Sequence, residues 1–376
     1  MKRILTGFIM DGKSGGIDKY LLNFLEATKG KDVRIDFLTN EVDGELKEKL
    51  CGFESRLFAI ANLRHPIKQY LQVCAILQKE KYDTVYLNIS TAIDCVTALA
   101  AMHMKVPKRI IHSHSSGNDC ESKAQRVSYN ILHYICRLFL YRTATDYYGC
   151  SKKAGMWLFP KKIVNSKKFQ VIFNTVDRTV FVYDEALRKK TRKEMGIESK
   201  LVIGHVGNFC YAKNYPFLVQ VFEQVLRQQK NAILLLVGSG IELEEIKEQV
   251  RKRKMEHAVR FLGWCADTNK LYQAMDIFLL PSRFEGLPIV GVEAQCTKLE
   301  CIFSNHITSE AKIQERCYFL PYKASPQQWA QFIMEHQRYD RKEVKLLEEA
   351  CDYDLVKQSK QWERIYGNSK CDYTNL

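Results

Sequence analysis

Short apolar runs of strand length alternate with helical stretches all along this chain, and the alternation restarts once. In the first half the runs are Arg3 to Phe8, Val33 to Leu38, Thr84 to Asn88, Arg109 to His112, Asp146 to Cys150 and Phe169 to Phe173. A charged stretch from Asp184 to Lys200 follows, and then come Leu201 to Val206, Ala232 to Val237, Val259 to Leu262, Ile277 to Leu280 and Cys301 to Ser304. Strands that alternate with helices pair in parallel, because each crossover helix returns the chain to the same end of the sheet. The expectation is two doubly wound α/β domains, and 376 residues suffice for two sizeable cores. The junction is placed near Arg178, giving domains over 1–178 and 179–355.

The most informative segment is Phe278-Leu279-Leu280-Pro281-Ser282-Arg283-Phe284-Glu285-Gly286-Leu287-Pro288-Ile289-Val290-Gly291-Val292-Glu293. The run up to Leu280 reads as a buried strand, and Pro288 suits the first position of a helix, where its missing N–H is not needed. Glu285 then sits in the loop before the helix and Glu293 about a turn and a half into it. The unsatisfied amides near Gly286, Leu287 and Ile289 make the helix start an anion site. Carboxylates beside an anion site need hydroxyl donors, and a sugar attached to a nucleotide diphosphate supplies both phosphate and hydroxyls.

This segment resembles the signature of the family-four retaining glycosyltransferases. The resemblance implies the two-domain GT-B fold, with two Rossmann-like domains facing across a cleft and a C-terminal helix, here within 356–376, that packs back on the first domain. Leu355, Trp362, Ile365 and Tyr366 have the apolar spacing of such a helix. It also implies a retaining hexosyltransferase that takes its sugar from a nucleotide diphosphate, UDP by expectation, without a metal or other cofactor. Capsular and exopolysaccharide enzymes are the nearest type, so the implied acceptor is a glycan or a polyprenyl-diphosphate-linked glycan.

Other residues take roles from the same resemblance. Lys213, in Gly207-Asn208-Phe209-Cys210-Tyr211-Ala212-Lys213, matches the family lysine that faces the donor diphosphate, where a cation stabilises the leaving group. Family members usually carry an arginine where this chain has Asn208, so one positive charge is missing and Asn208 offers a hydrogen bond instead. Gly15-Gly16-Ile17-Asp18 opens the first helix and resembles the family's glycine pair, which lets a ligand approach backbone amides closely. His114 resembles the family histidine that faces the donor sugar. His112 lies only two residues away and points to the same side of an extended chain, which leaves that assignment ambiguous. Trp264 follows the Phe261-Leu262-Gly263 turn, where it either stacks on the base or caps the core.

Two readings of other classes remain open. Residues 7–14, Gly7-Phe8-Ile9-Met10-Asp11-Gly12-Lys13-Ser14, match the phosphate-loop pattern letter for letter and follow the first strand, which would make the chain a nucleotidase. Gly15 and Gly16 argue against it, since a phosphate loop is already helical there. The net charge of +14 is uneven: residues 101–170 hold 13 Lys and Arg against 3 Asp and Glu. Such a basic stretch serves a nucleic acid, an anionic membrane or a phosphorylated acceptor, or is ordinary solvated charge. Val127 to Tyr141, with Lys123, Arg126, Arg137 and Arg142 about it, is too short to span a bilayer and reads either as a core helix with basic ends or as a helix lying along a bilayer surface. No nucleic-acid partner is expected, and no metal, because the His112/His114 pair lacks a third ligand and Asp352-Tyr353-Asp354 lies near the C-terminus, where it reads as a helix entry, not after a central nucleotide-binding strand. The cysteines, without zinc spacing, read as reduced thiols, and with no apolar leader after Met1 the expected location is cytoplasmic, at the inner membrane face if the acceptor is lipid-linked.

Overall fold

The computed structural model describes residues 1–12, 15–120 and 122–367. The chain divides into two compact units. The first comprises Met1–Asn118, Lys123–Thr175 and the stretch beginning at Leu355; the second comprises Asp119–Ser122 and Val176–Asp354.

The first unit is built on seven strands: β1 (Lys2–Gly7), β2 (Val33–Thr39), β3 (Leu57–Ala59), β4 (Thr84–Ile89), β5 (Lys108–Ser113), β6 (Asp146–Gly149) and β7 (Phe169–Val171). They form one sheet in the order β3-β2-β1-β4-β5-β6-β7, with parallel pairing throughout. All six residues of β4 are buried, as a strand with helices on both faces requires. Its side chains alternate between two cores. Val85, Leu87 and Ile89 join the cluster under helices Pro66–Glu80, Val96–His103 and Lys123–Thr143. Tyr86 joins the cluster on the other face with Tyr20 and Phe24 of helix Gly16–Ala27. The last described helix, Leu355–Tyr366, buries Trp362 and Ile365 in that second cluster and so belongs to the first unit.

The second unit has six parallel strands: β8 (Leu201–Val206), β9 (Ala232–Val237), β10 (Val259–Gly263), β11 (Ile277–Leu280), β12 (Glu300–Ser304) and β13 (Cys317–Leu320), in the order β10-β9-β8-β11-β12-β13. Two short strands escape the sequence reading, β3 and β13. Both are edge strands of three or four residues without a fully buried apolar run.

In both sheets the chain order reverses beside the first strand of the unit, between β1 and β4 and between β8 and β11. At such a switch point the loops leaving the carboxyl ends of neighbouring strands diverge to opposite faces and leave a crevice for a ligand. The loops after β8 and β11 carry Lys213 and Glu285.

Candidate active site

The loop after β8 is held by backbone contact with the loop after β9. Gly207 N–H donates to Val237 O at 2.9 Å and Phe209 N–H to Ser239 O at 2.8 Å. Gly238 has φ +138, and a Cβ there would stand 2.1 Å from Gly207 O; Gly240 has φ +149, with Phe209 O 2.5 Å from its Cβ position. Only glycine permits this approach. The chain then turns through Tyr211–Lys213, and Asn214 adopts φ 59, with its side-chain amide donating to Pro281 O at 3.1 Å.

That last bond ties the turn to the loop after β11, and further contacts fix it. Arg283 N–H donates to Ala212 O at 2.7 Å, the Arg283 guanidinium donates to Tyr211 O at 2.5 Å, and Ser304 Oγ donates to Ser282 O at 2.5 Å. Between the two loops Lys213 Nζ lies 2.6 Å from Glu285 Oε1, which also accepts from Ser282 Oγ at 2.7 Å. The two side chains are only 15 % and 12 % exposed. Burial by itself pushes the Lys213 pKa down, but the Glu285 charge and hydrogen bond outweigh it and the net shift is upward, so the ammonium is retained.

The helix that follows runs Ile289–Cys296, with Pro288 as its N-cap. Pro288 therefore stands one position earlier than its sequence suggests, and no side chain caps the helix start. The amides of Ile289 and Val290 have no acceptor within the helix, which leaves donors for an anion. Gly286 and Leu287 form the loop just before it, Leu287 being buried. Gly291 seats the helix against β12, since a Cβ there would meet Phe303 Cζ at 2.7 Å. Glu293 is only 4 % exposed and accepts from Tyr272 Oη at 3.0 Å. Burial, and next the Glu293 charge, hold the Tyr272 hydroxyl protonated as the donor.

Asn208 is exposed on the loop after β8. Trp264 is 56 % exposed after the φ +68 residue Gly263, so it does not cap the core. Beneath Lys213, His205 is wholly buried on β8. Its Nδ1–H donates to Leu279 O at 2.7 Å, and burial pushes its pKa down to about 3. A cavity of about 700 Å³ bordered by Thr179, Tyr183, Asp184 and Asn269 touches none of the candidate residues.

In the first unit, Gly15 caps helix Gly16–Ala27 in an extended conformation. The carboxylate of Asp18, in its first turn, accepts from the amides of Met10 at 3.1 Å, Asp11 at 3.0 Å and Gly12 at 2.8 Å. A phosphate loop would present such amides to its nucleotide; here the chain's own carboxylate occupies them. Lys13 and Ser14 of that pattern lie outside the described residues. The nucleotidase reading therefore loses the cradle on which it rests.

The two histidines of β5 and its exit separate cleanly. His112 is fully buried and ends a relay: Trp362 Nε1–H donates to Tyr20 Oη at 2.8 Å, Tyr20 Oη is 2.7 Å from Tyr86 Oη, and Tyr86 Oη is 2.7 Å from His112 Nδ1. His114 is half-buried, its Nε2 2.9 Å from Asn88 Oδ1 at the end of β4, and its ring centroid lies 4.1 Å from that of His112. Burial lowers both pKa values, that of His114 to about 3, so both rings are neutral at ordinary pH. The His114 Nδ1 is buried and has no hydrogen-bond partner. Among the described residues no three His, Cys, Asp or Glu side chains are grouped to hold a metal ion.

Sequence reasoning missed Tyr272, the Gly238–Gly240 turn and the Asp18 cradle. Gly238-Ser239-Gly240 directly after a strand was a usable signal; the other two depend on contacts between distant or folded-back segments.

Comparison with known proteins bears on the whole chain. Residues 14–180 match the model for "Glycosyltransferase Family 4" and residues 188–335 that for "Glycosyl transferases group 1". The chain is 27 % identical to the putative glycosyltransferase EpsF of Bacillus subtilis, over 82 % of this chain and 80 % of that one. It is 25 % identical to the UDP-Gal:alpha-D-GlcNAc-diphosphoundecaprenol alpha-1,3-galactosyltransferase of Escherichia coli, over 77 % of this chain and 76 % of the other. The crystal structure of HepE from Anabaena in complex with UDP superposes with a TM-score of 0.73 at 19 % identity, covering 97 % of this chain and 99 % of HepE. At that identity the superposition establishes the fold.

Proposed function

The chain belongs to glycosyltransferase family four, with the GT-B fold, and on that premise we propose that it is a retaining enzyme that transfers a hexose or N-acetylhexosamine from UDP to a hydroxyl of a glycan or polyprenyl-diphosphate-linked acceptor. We place it in capsular or exopolysaccharide synthesis, acting on the cytoplasmic side of the membrane. The observation that carries the reading is the buried Lys213–Glu285 pair in front of the uncapped helix Ile289–Cys296, at the switch point of the second sheet.

A nucleotide diphosphate leaving group gains negative charge as the glycosidic bond breaks. An ammonium and helix amides already oriented at the diphosphate stabilise that charge without reorganising, which is where most of such a rate enhancement arises. In this reading Lys213 and the amides near Gly286, Leu287 and Ile289 receive the diphosphate. Glu285, held by Lys213 and Ser282, accepts from hexose hydroxyls. Glu293, oriented by Tyr272, accepts from the ribose. Asn208 donates a hydrogen bond where relatives supply a charge, and the exposed face of Trp264 is available to the base. In the first unit, Gly15 and Gly16 open the helix to close backbone approach, and the family resemblance assigns the neutral His114 to the donor sugar. The acceptor hydroxyl attacks the face from which the leaving group departs, so no covalent nucleophile is needed. The charge stabilisation comes from protein groups, and the reading has no metal in it.

The relatives support this assignment without transferring their substrates. HepE was crystallised with UDP and with UDP-glucose, and the Escherichia coli relative is named for a diphosphoundecaprenol-linked acceptor. The test is transfer of labelled sugar from UDP-Glc, UDP-Gal, UDP-GlcNAc and GDP-Man to lipid extract, with and without EDTA. Transfer from one UDP-sugar that survives EDTA supports the proposal. Magnesium-dependent ATP hydrolysis with no sugar transfer would replace it with the nucleotidase reading.

A further inference from the structure

Helix Lys123–Thr143 has two apolar faces, and only one of them is covered. His133, Cys136, Leu140 and Thr143 form a buried seam against the rest of the first unit. Opposite that seam Val127, Ile131, Tyr134, Ile135 and Leu138 follow the spacing of a single helical face. All five are exposed, Ile131 at 58 % and Leu138 at 70 %. Three turns of exposed aliphatic side chains, joined by Tyr134, whose ring meets that of Trp157 edge-on at 6.1 Å, form an apolar patch of a kind that folded monomers seldom present to water unless something docks there.

The charges about this face identify the occupant. From Ser122 to Thr145 the chain contains no Asp or Glu, while Lys123 and Arg126 flank one end of the patch and Arg142 the other. At the latter end the Tyr141 ring carries two cations, Arg142 at 5.6 Å and Lys162 at 5.4 Å from its centroid. A second copy of this chain would bring two such cationic faces together with no carboxylate to offset them. A nucleic acid would meet five apolar side chains where it needs donors to its phosphates. A bilayer surface that carries anionic headgroups satisfies both features at once, accepting the apolar face among its acyl chains and the basic ends among its phosphates. No described helix is long and apolar enough to cross a membrane, so this helix would lie along the surface.

We propose that the outer face of helix Lys123–Thr143 seats the protein on an anionic bilayer, with Ile131, Ile135 and Leu138 entering the headgroup boundary. The purpose rests on the lipid-linked acceptor proposed above; the binding itself does not.

The test is sedimentation of the full chain with vesicles of phosphatidylcholine alone or mixed with phosphatidylglycerol, at low and high salt. The chain should sediment with the mixed vesicles and be released by salt. Ile131→Ser combined with Leu138→Ser should weaken the partition by about tenfold or more, because binding scales with the apolar area inserted. Arg142→Glu should weaken it chiefly at low salt. Both positions of the double variant are exposed, so its melting temperature and its stabilisation by a UDP-sugar should be those of the parent. The proposal is overturned if the parent remains in the supernatant, if the double variant sediments equally, or if the parent is a dimer that the double substitution dissociates. A chain that sediments as described yet transfers no sugar would sink the proposed function and leave the membrane face standing.

Discussion

Lys213 and Glu285 are 72 residues apart in the chain, and their charged atoms are 2.6 Å apart in the fold. Two buried charges are a poor source of stability, because desolvation offsets most of their attraction. Their place in front of an uncapped helix start at a sheet switch point is better explained by the ligand they are set up to meet. In the proposed function the pair also holds each partner in place before the diphosphate sugar arrives.

Replacing Lys213 with Ala, or Glu285 with Gln, should each lower kcat by about a hundredfold, the usual scale for one preoriented electrostatic contact. Combined, the two substitutions should cost far less than the product of the single losses, because the residues act as a unit. Steady-state kinetics on the three variants checks this, with circular dichroism to show that each is folded. Near-normal turnover in either single variant would remove these residues from the mechanism.

Gly238, just after β9, and Gly263, the last residue of β10, allow a graded comparison. Ala at Gly238 would combine φ +138 with a Cβ 2.1 Å from Gly207 O, so the variant should fail to fold or should misplace the Lys213 loop. Ala at Gly263, with φ +68 and nothing within 4 Å of its Cβ position, should cost only about 1 kcal/mol. Urea unfolding of both variants distinguishes close backbone approach from simple left-handed strain.

His205 should make stability fall in acid. Burial holds its folded pKa at about 3, below the usual histidine value, so between neutral pH and about 4 the unfolded chain binds a proton that the folded chain does not. The contribution is present above the unfolded pKa and is lost as pH falls toward the folded one. The stability difference between the parent and His205→Gln should shrink by on the order of 3 kcal/mol from pH 7 to pH 4. A difference that does not change with pH would contradict a neutral buried imidazole.

The relay from the last helix to His112 is a stability element. Tyr86→Phe would leave His112 Nδ1 buried without its hydroxyl partner, and Trp362→Phe would leave Tyr20 Oη without its indole donor. Each should destabilise the chain by about 1–3 kcal/mol, the cost of a buried polar group left unsatisfied. Chemical denaturation measures this directly, and values near zero would show that water replaces the missing groups.

The continuous apolar runs of Ala232 to Val237 and Ile277 to Leu280 made their strands legible, because a buried parallel strand must be apolar along its whole length. Leu57–Ala59 and Cys317–Leu320 were not legible, because an edge strand of three or four residues needs only one paired neighbour and half a covering. Motif order drew attention to Lys213 and Glu285, but nothing local could state the distance between them. The letters of residues 7–14 were misleading for a related reason. A pattern records that amides are present, and whether Asp18 folds back to fill them is decided by the first turn of the next helix.

In the proposed function Lys213, beside Glu285, holds the diphosphate of a sugar nucleotide. The most direct test of this is calorimetric titration of UDP into the parent and into Lys213→Ala. The account predicts saturable binding to the parent and at least about tenfold weaker binding to the variant, as the loss of a charge-assisted contact to phosphate requires. Equal affinity in the two proteins, or no binding to either, would contradict it.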